Sequence, residues 1–487
     1  MVWTPDFSLA VSREGKRPLF ERVGAALTDA IRAGRLAPGD RLPSTRRLAE
    51  RLGIHRNTAI AAYESLAAQG WIQTARGRGT FVSRALPEVA PRAFAEHPER
   101  MPTRTGFPLA PAPRSAPPLV WPPPKGVLSL AGAVPDVRET PVADLARAYR
   151  RAVLRQPRQA LDYGDEAGHP ALRDALAHML ASLRGLPVGR DDVFVTRGSQ
   201  QALYLAARTI CRPGDVVAVE SLGYAPAWEA FRAAGATLVG VPVDDRGVRV
   251  DRLAALTERQ PLRAVYLTPH HQYPTLAVLA PERRIALLEL ARRKRFAVVE
   301  DDYDYEMHYE GQPLLPLASA DRAGVVVYVG TLSKILAPGV RVGYAVAPRP
   351  LLERFALHRR PIDRQGDAAV EAAVAELLSE GIVERHARRM RRIYRARRDH
   401  LASEVRDSLG DALDFHLPPG GMALWLRARS GLDVDAWAQR SEDAGVHFLT
   451  AKRFAFDGRA RSALRLGYAY LQEAELSDAI GRMRRVL

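Results

Sequence analysis

Short apolar runs recur through the C-terminal body of the chain: DDVFVT, DVVAVE, RAVYLT, FAVVEDD and VVVYVG. Between them lie segments with helical spacing, such as PALRDALAHMLASL. Unbroken apolar runs are expected of strands covered on both faces, and strand–helix alternation predicts an α/β domain with a largely parallel sheet. The N-terminal region has a different rhythm. Phe20, Val23, Leu27, Ala30 and Ile31 fall on one helical face, and Gly34 can cap that helix. A second helix is predicted after Ser44, its N-cap, with Leu48 and Leu52 one turn apart and Gly53 ending it. A third follows, burying Ile60, Tyr63 and Leu66. Two β-like segments, WIQTA and GTFVS, flank the tip RGRG.

Between these regions, residues 87–124 hold twelve prolines, a density that sustains neither helix nor sheet and predicts a semi-extended tether. The expected organisation is therefore a small head over 1–84, a proline-rich linker over 85–126 and a large body over 127–487. No run of 18 uncharged apolar residues is present, and the start lacks a basic segment followed by an apolar core. Neither a membrane span nor a secretory signal is expected. The only cysteine, Cys211, excludes a disulfide framework and fits a reducing cytoplasm. No metal site is expected.

Charge sharpens the picture of the head. The chain's net charge is +16, and residues 1–84 carry 14 Lys and Arg against 7 Asp and Glu. A basic end on a larger body suggests nucleic acid. His55, Arg56, Asn57 and Thr58 stand at the exposed start of the third predicted helix, where a recognition helix meets base edges and phosphates. Arg76 and Arg78 on the tip between the β-like segments can reach a groove or the backbone. The blocks PLFERV, PGDRLPSTRRLAERLG, RNTAIAAY and GRGTFV, in this order, resemble the winged helix-turn-helix of the GntR family. That resemblance implies double-stranded promoter DNA as partner, contacted by Ser44, Arg46, Arg56, Asn57, Thr58 and Gly77. His55 departs from the small Ser or Thr usual at its position.

The body offers chemistry at strand ends, where open α/β sheets place ligands. Of five lysines, Lys334 alone leaves a buried strand, and an amine there can lose its proton and form a Schiff base with a carbonyl. FAVVEDDYDYE supplies carboxylates. Asp301 and Tyr303 point the same way if the strand persists, while Asp302 faces away; a bulge would exchange the two aspartates. Gly198, Ser199 and Gln200 open a helix and form an anion site, toward which Thr331, Ser333 and Arg341 can converge. Tyr224 can stack on a ring. His271 can contact a ring oxygen, its neighbour His270 reading as a surface residue. Arg465, in ALRLGYAY, suggests a clamp for a substrate carboxylate. A lysine, an acid, a phosphate cradle and a stacking face are the needs of pyridoxal 5'-phosphate.

Together YGDEAGHPALRDALAHML, GSQQAL, EDDYD, the SK-x6-R spacing and the late arginine resemble the fold-type I aminotransferases over roughly 127–487. With head and tether, the whole chain resembles the MocR/GabR-type regulators. The resemblance implies Lys334 as Schiff-base residue, Asp301 and Tyr303 on the ring, Arg341 at the phosphate and Arg465 on the ligand carboxylate. It also implies a homodimer, with sites near the subunit interface. Leu276 stands where the pattern usually has glycine. The function expected is a cytoplasmic transcription regulator that senses an amine, an amino acid or the vitamin through aldimine exchange at Lys334. The rival is a working aminotransferase with an attached DNA-binding module.

Overall fold

A computed structural model of the chain describes residues 9, 11, 17–75, 77–87, 103–109 and 122–487. It divides into two compact units between Ala112 and Pro113, inside the proline-rich stretch. Much of that stretch lies outside the described residues.

In the first unit, helices α1 (Leu19–Arg32), α2 (Thr45–Leu52) and α3 (Arg56–Ala68) precede an antiparallel hairpin of β1 (Ile72–Ala75) and β2 (Gly79–Val82). Val23, Leu27, Leu48, Tyr63, Leu66, Ile72 and Val82 make one core. Ile60, expected inside, is only half-buried; Ala59 and Ala62 take the core positions, since small side chains let α3 lie close to its neighbours. Ser44 caps α2 by accepting the amide of Arg47 at 3.3 Å. At α3 the capping position belongs to His55, whose Nδ1 accepts the Asn57 amide at 3.3 Å. An imidazole thus does the work usually given to a short hydroxyl side chain.

The second unit is built on a seven-stranded sheet. Its strands in chain order are β3 (Val193–Thr196), β4 (Val216–Glu220), β5 (Thr237–Val241), β6 (Ala264–Leu267), β7 (Ala297–Asp302), β8 (Val326–Thr331) and β9 (Gly343–Val346). Their spatial order is β3-β9-β8-β7-β6-β4-β5. All neighbours are parallel except β9, which runs antiparallel to both β8 and β3. Helices cover both faces, so β3, β7 and β8 are buried almost throughout, as their apolar runs predict. A smaller antiparallel sheet, β10 (Leu413–Asp414), β11 (Ala423–Ala428), β12 (Leu449–Thr450) and β13 (Ala463–Gly467), has its own core around Trp437 and the long helix Ile382–Leu409. No helix among the described residues is long and apolar enough to cross a membrane.

Candidate functional site

The carboxyl ends of the central strands open into a cavity of about 620 Å³. Lys334, just beyond β8, lies on its wall with Asp301, Tyr303, Ser199, Gln200, Tyr224, Thr331, Ser333 and Arg341. Residues from five separate stretches of sequence therefore meet in one space. Lys334 Nζ donates to the carbonyl of Ala133 at 2.7 Å. The side chain borders the cavity and is only partly covered, yet it sits deep in the body. That burial, with the charge of Arg465 adding to it, pulls the amine down from 10.5 to about 8.

Strand β7 persists to Asp302, so consecutive carboxylates take opposite sides. Asp301 faces the cavity and accepts from Tyr266 Oη at 2.8 Å, leaving Oδ1 without a protein partner. Asp302 turns away and accepts from Tyr328 Oη at 2.6 Å, with Arg184 3.8 Å off. Burial pushes Asp301 up to about 7, and the neighbouring charge of Asp302 adds to the rise. The Tyr303 hydroxyl and Ser333 Oγ are likewise covered and unpartnered.

Gly198 is not on the wall but beneath it. Its φ of 75° starts helix α4 (Ser199–Ile210), and a Cβ there would come within 2.7 Å of Arg341 Nη2. Arg341 is itself held at φ 55° and donates to the carbonyl of Arg197 at 2.8 Å. The free amides of α4, the Ser199 and Ser333 side chains and the Arg341 guanidinium thus converge on one edge of the cavity, an anion site by construction.

Three expected residues stand differently. His271 is not on the cavity wall; its Nδ1 lies 2.8 Å from Asp304 Oδ1, which turns the ring into the protein. His270 is buried rather than on the surface, its ring packed among those of His271, Tyr305 and His308. Arg465 is fully buried and lies behind the wall, its guanidinium 4.9 Å from the centre of the Tyr273 ring, with all three nitrogens unpartnered. Arg453, which sequence reading missed, lies on the wall beside Phe454 and Tyr273. Tyr266, the partner of Asp301, was also missed, since nothing in RAVYLT separates a packing tyrosine from a positioning one. Leu276 adopts φ 65°, the conformation glycine favours, but is buried against Gly421 and not on the wall.

In the head, Ser44, Arg46, His55, Arg56 and Asn57 are exposed along one side of α2 and the start of α3, Thr58 half so. Arg46 also pairs with Glu50 at 3.3 Å across an open surface. Gly77, at φ 76°, and Arg78 form the exposed hairpin tip. Arg76 lies outside the described residues.

The orphaned groups of the cavity fit pyridoxal phosphate: an acid with one free oxygen, a hydroxyl beside it, an anion cradle and an amine between them. Comparison with known proteins points the same way. The family "Aminotransferase class I and II" matches residues 127–483, and "Bacterial regulatory proteins, gntR family" matches 19–82. The chain is 30% identical over 482 residues to the probable rhizopine catabolism regulatory protein MocR of Rhizobium meliloti, covering 98% of this chain and 95% of that one. It is 32% identical to the transcriptional regulator TauR of Rhodobacter capsulatus, covering 99% of each. Among solved structures, LysN, an alpha-aminoadipate aminotransferase of Thermus thermophilus complexed with N-(5'-phosphopyridoxyl)-L-leucine, superposes with a TM-score of 0.70 at 30% identity, covering 74% of this chain and 92% of that one.

Proposed function

The chain belongs to the MocR-type subfamily of GntR regulators, and from that premise we propose that it is a pyridoxal-phosphate-dependent transcription regulator reading a small amine or amino acid. The observation that carries this reading is the set of buried, unpartnered polar groups around Lys334 on the wall of one cavity. When bound, pyridoxal phosphate supplies an electrophilic carbon that exchanges amines and a ring that withdraws electrons. Lys334 is the amine that holds it, kept partly unprotonated near neutrality by burial. Asp301, oriented by Tyr266, serves the ring nitrogen, and Tyr303 the ring oxygen. Tyr224, on the same wall, would offer a stacking face for the ring. Ser199, Gln200, Thr331, Ser333 and Arg341 hold the phosphate, Gly198 making room for the guanidinium. Arg465 and Arg453 attract the carboxylate of an amino-acid effector, Tyr273 standing between Arg465 and the cavity.

On this reading the head, over 1–84, binds promoter DNA through Ser44, Arg46, Arg56, Asn57, Thr58, Gly77 and Arg78, while His55 orders the start of α3. The body over 127–487 senses, and the active species is a homodimer. Lys334 and Asp301 are also what an aminotransferase requires, so turnover is the competing outcome.

Spectroscopy combined with footprinting decides between them. The purified protein should show the cofactor's visible absorption, and Lys334→Ala should abolish it. Adding candidate amines should change both that spectrum and the protection of promoter DNA. Repeated formation of keto acid, with DNA affinity indifferent to the amine, would overturn the regulator reading.

A further inference from the structure

Beneath the cavity the loops after β6 and β7 bring three histidines together. His270 and His271 follow β6, and His308 follows β7. One ring nitrogen from each lies within 4.8 Å of the others. His271 and His308 stack at 6.1 Å with their planes 15° apart, and His270 sits 4.4 Å from His271. Two of the three are buried, His270 at 4% exposed and His271 at 1%, while His308 is partly covered.

Packing alone does not account for these rings. Both nitrogens of His270, Nε2 of His271 and Nδ1 of His308 are covered and have no protein partner. Buried polar atoms are as a rule paired, so four covered ring nitrogens without a partner in one place point to a ligand. Asp304 resolves which nitrogen of His271 is free. A carboxylate only accepts, so the 2.8 Å contact with Asp304 Oδ1 puts a proton on Nδ1 and makes Nε2 the nitrogen open to a ligand. This carboxylate–histidine pairing is the usual way a metal-binding imidazole is oriented. Gly420 lies against the same nitrogen; a Cβ there would come within 2.6 Å of Nε2, so the missing side chain keeps that space open.

We propose that His270, His271 and His308 form a binding site for one divalent late-transition-metal ion, zinc foremost, with Asp304 positioning His271. Imidazole is the ligand type such ions favour, and three histidines leave a fourth position for water. Nitrogens at metal distance stand roughly 3.3 Å apart, so binding would draw the three rings together from their present spacing of up to 4.8 Å. Besides the two other histidines, the guanidiniums of Arg284 and Arg184 lie near His270. Those guanidiniums are answered by carboxylates: Glu306 pairs with Arg184, Asp302 lies 3.8 Å from it, and Glu300 and Asp302 face Arg284. The ion would tie the loop carrying Tyr273 to the loop carrying Tyr303, bracing two walls of the cavity from below. The proposal goes beyond the regulator reading and does not rest on it.

Metal analysis of the full chain, purified without a histidine tag, tests this. About one zinc per chain should be present or taken up after chelator treatment, and zinc should raise the melting temperature of the stripped protein. His270→Ser and His308→Ala should each weaken zinc affinity at least about tenfold in competition with a chromophoric chelator. His400→Ala, which removes a ring bonded to Ser477, should leave it unchanged. Circular dichroism checks that each variant folds. If His270→Ser does not, His308→Ala, at a partly covered position, decides alone. No saturable binding below about 100 µM by folded wild type, or undiminished affinity in a folded ligand variant, overturns the proposal.

Discussion

At Lys334 and Asp301, burial moves a base and an acid toward the same neutral range. Asp301 is raised from 3.8 to about 7, so the folded state prefers its protonated form. The stability this contributes is present below about pH 4 and is lost as pH rises through about 7. Lys334 is lowered from 10.5 to about 8, so its contribution is present above about 10.5 and is lost as pH falls through about 8. Both contributions are therefore at their lowest between pH 7 and 8, and the empty site is least stable where the cofactor would use it. We expect the melting temperature of cofactor-stripped protein to fall from pH 5 to pH 7.5, and Asp301→Asn to flatten that limb by up to about 1.4 kcal/mol per pH unit. An unchanged slope would show that Asp301 titrates normally. Leu276 presents a different balance. Its left-handed backbone costs about 1 kcal/mol, while removing a buried leucine costs about 2–5. Packing wins, so Leu276→Gly should lower unfolding free energy by about 1–4 kcal/mol in urea, despite restoring the usual residue.

Among elements, the junction of β3, α4 and β9 carries the anion site. Gly198 and Gly343 let two backbones meet: a Cβ at Gly343 would lie 2.4 Å from the carbonyl carbon of Gly198. Arg341 is fixed in a left-handed conformation between them, strain that only a surrounding scaffold sustains. Gly198→Ala should therefore push Arg341 aside and weaken pyridoxal phosphate binding at least about tenfold in a fluorescence titration, or about 1.4 kcal/mol. Affinity equal to wild type would remove Arg341 from the phosphate. Strand β7 shows what an element can settle that composition cannot. Because it stays regular to Asp302, alternation assigns Asp301 to the cavity and Asp302 to Tyr328 and Arg184. The end of β6 shows the limit: its following loop folds inward, so His271 leaves the cavity and Tyr273 faces it instead.

For the whole molecule, two units divide two tasks. The head has a core of its own, built from α1, α2, α3 and the hairpin, and its exposed polar groups gather at α2 and the start of α3. Arg56→Ala should weaken DNA binding and reduce the slope of log affinity against log salt by about 0.9, while leaving the cofactor titration of the body unchanged. A variant that loses both would mean that Arg56 supports the fold rather than the contact.

Much of this was legible in the chain because it is written locally. Apolar runs that end in Lys334, Asp301 and Gly198 mark buried strands delivering polar groups to one edge of a sheet, and four ordered blocks mark the head. Strand periodicity, capping and turn chemistry act over a few residues, and sequence reports them directly. Contacts between distant segments are decided by how the elements pack. Only the tertiary structure joined Tyr266 to Asp301, seated Arg465 behind Tyr273 and brought Arg453 to the wall. The same packing buried His270 beside His308, residues whose neighbours in sequence carry no sign of one another.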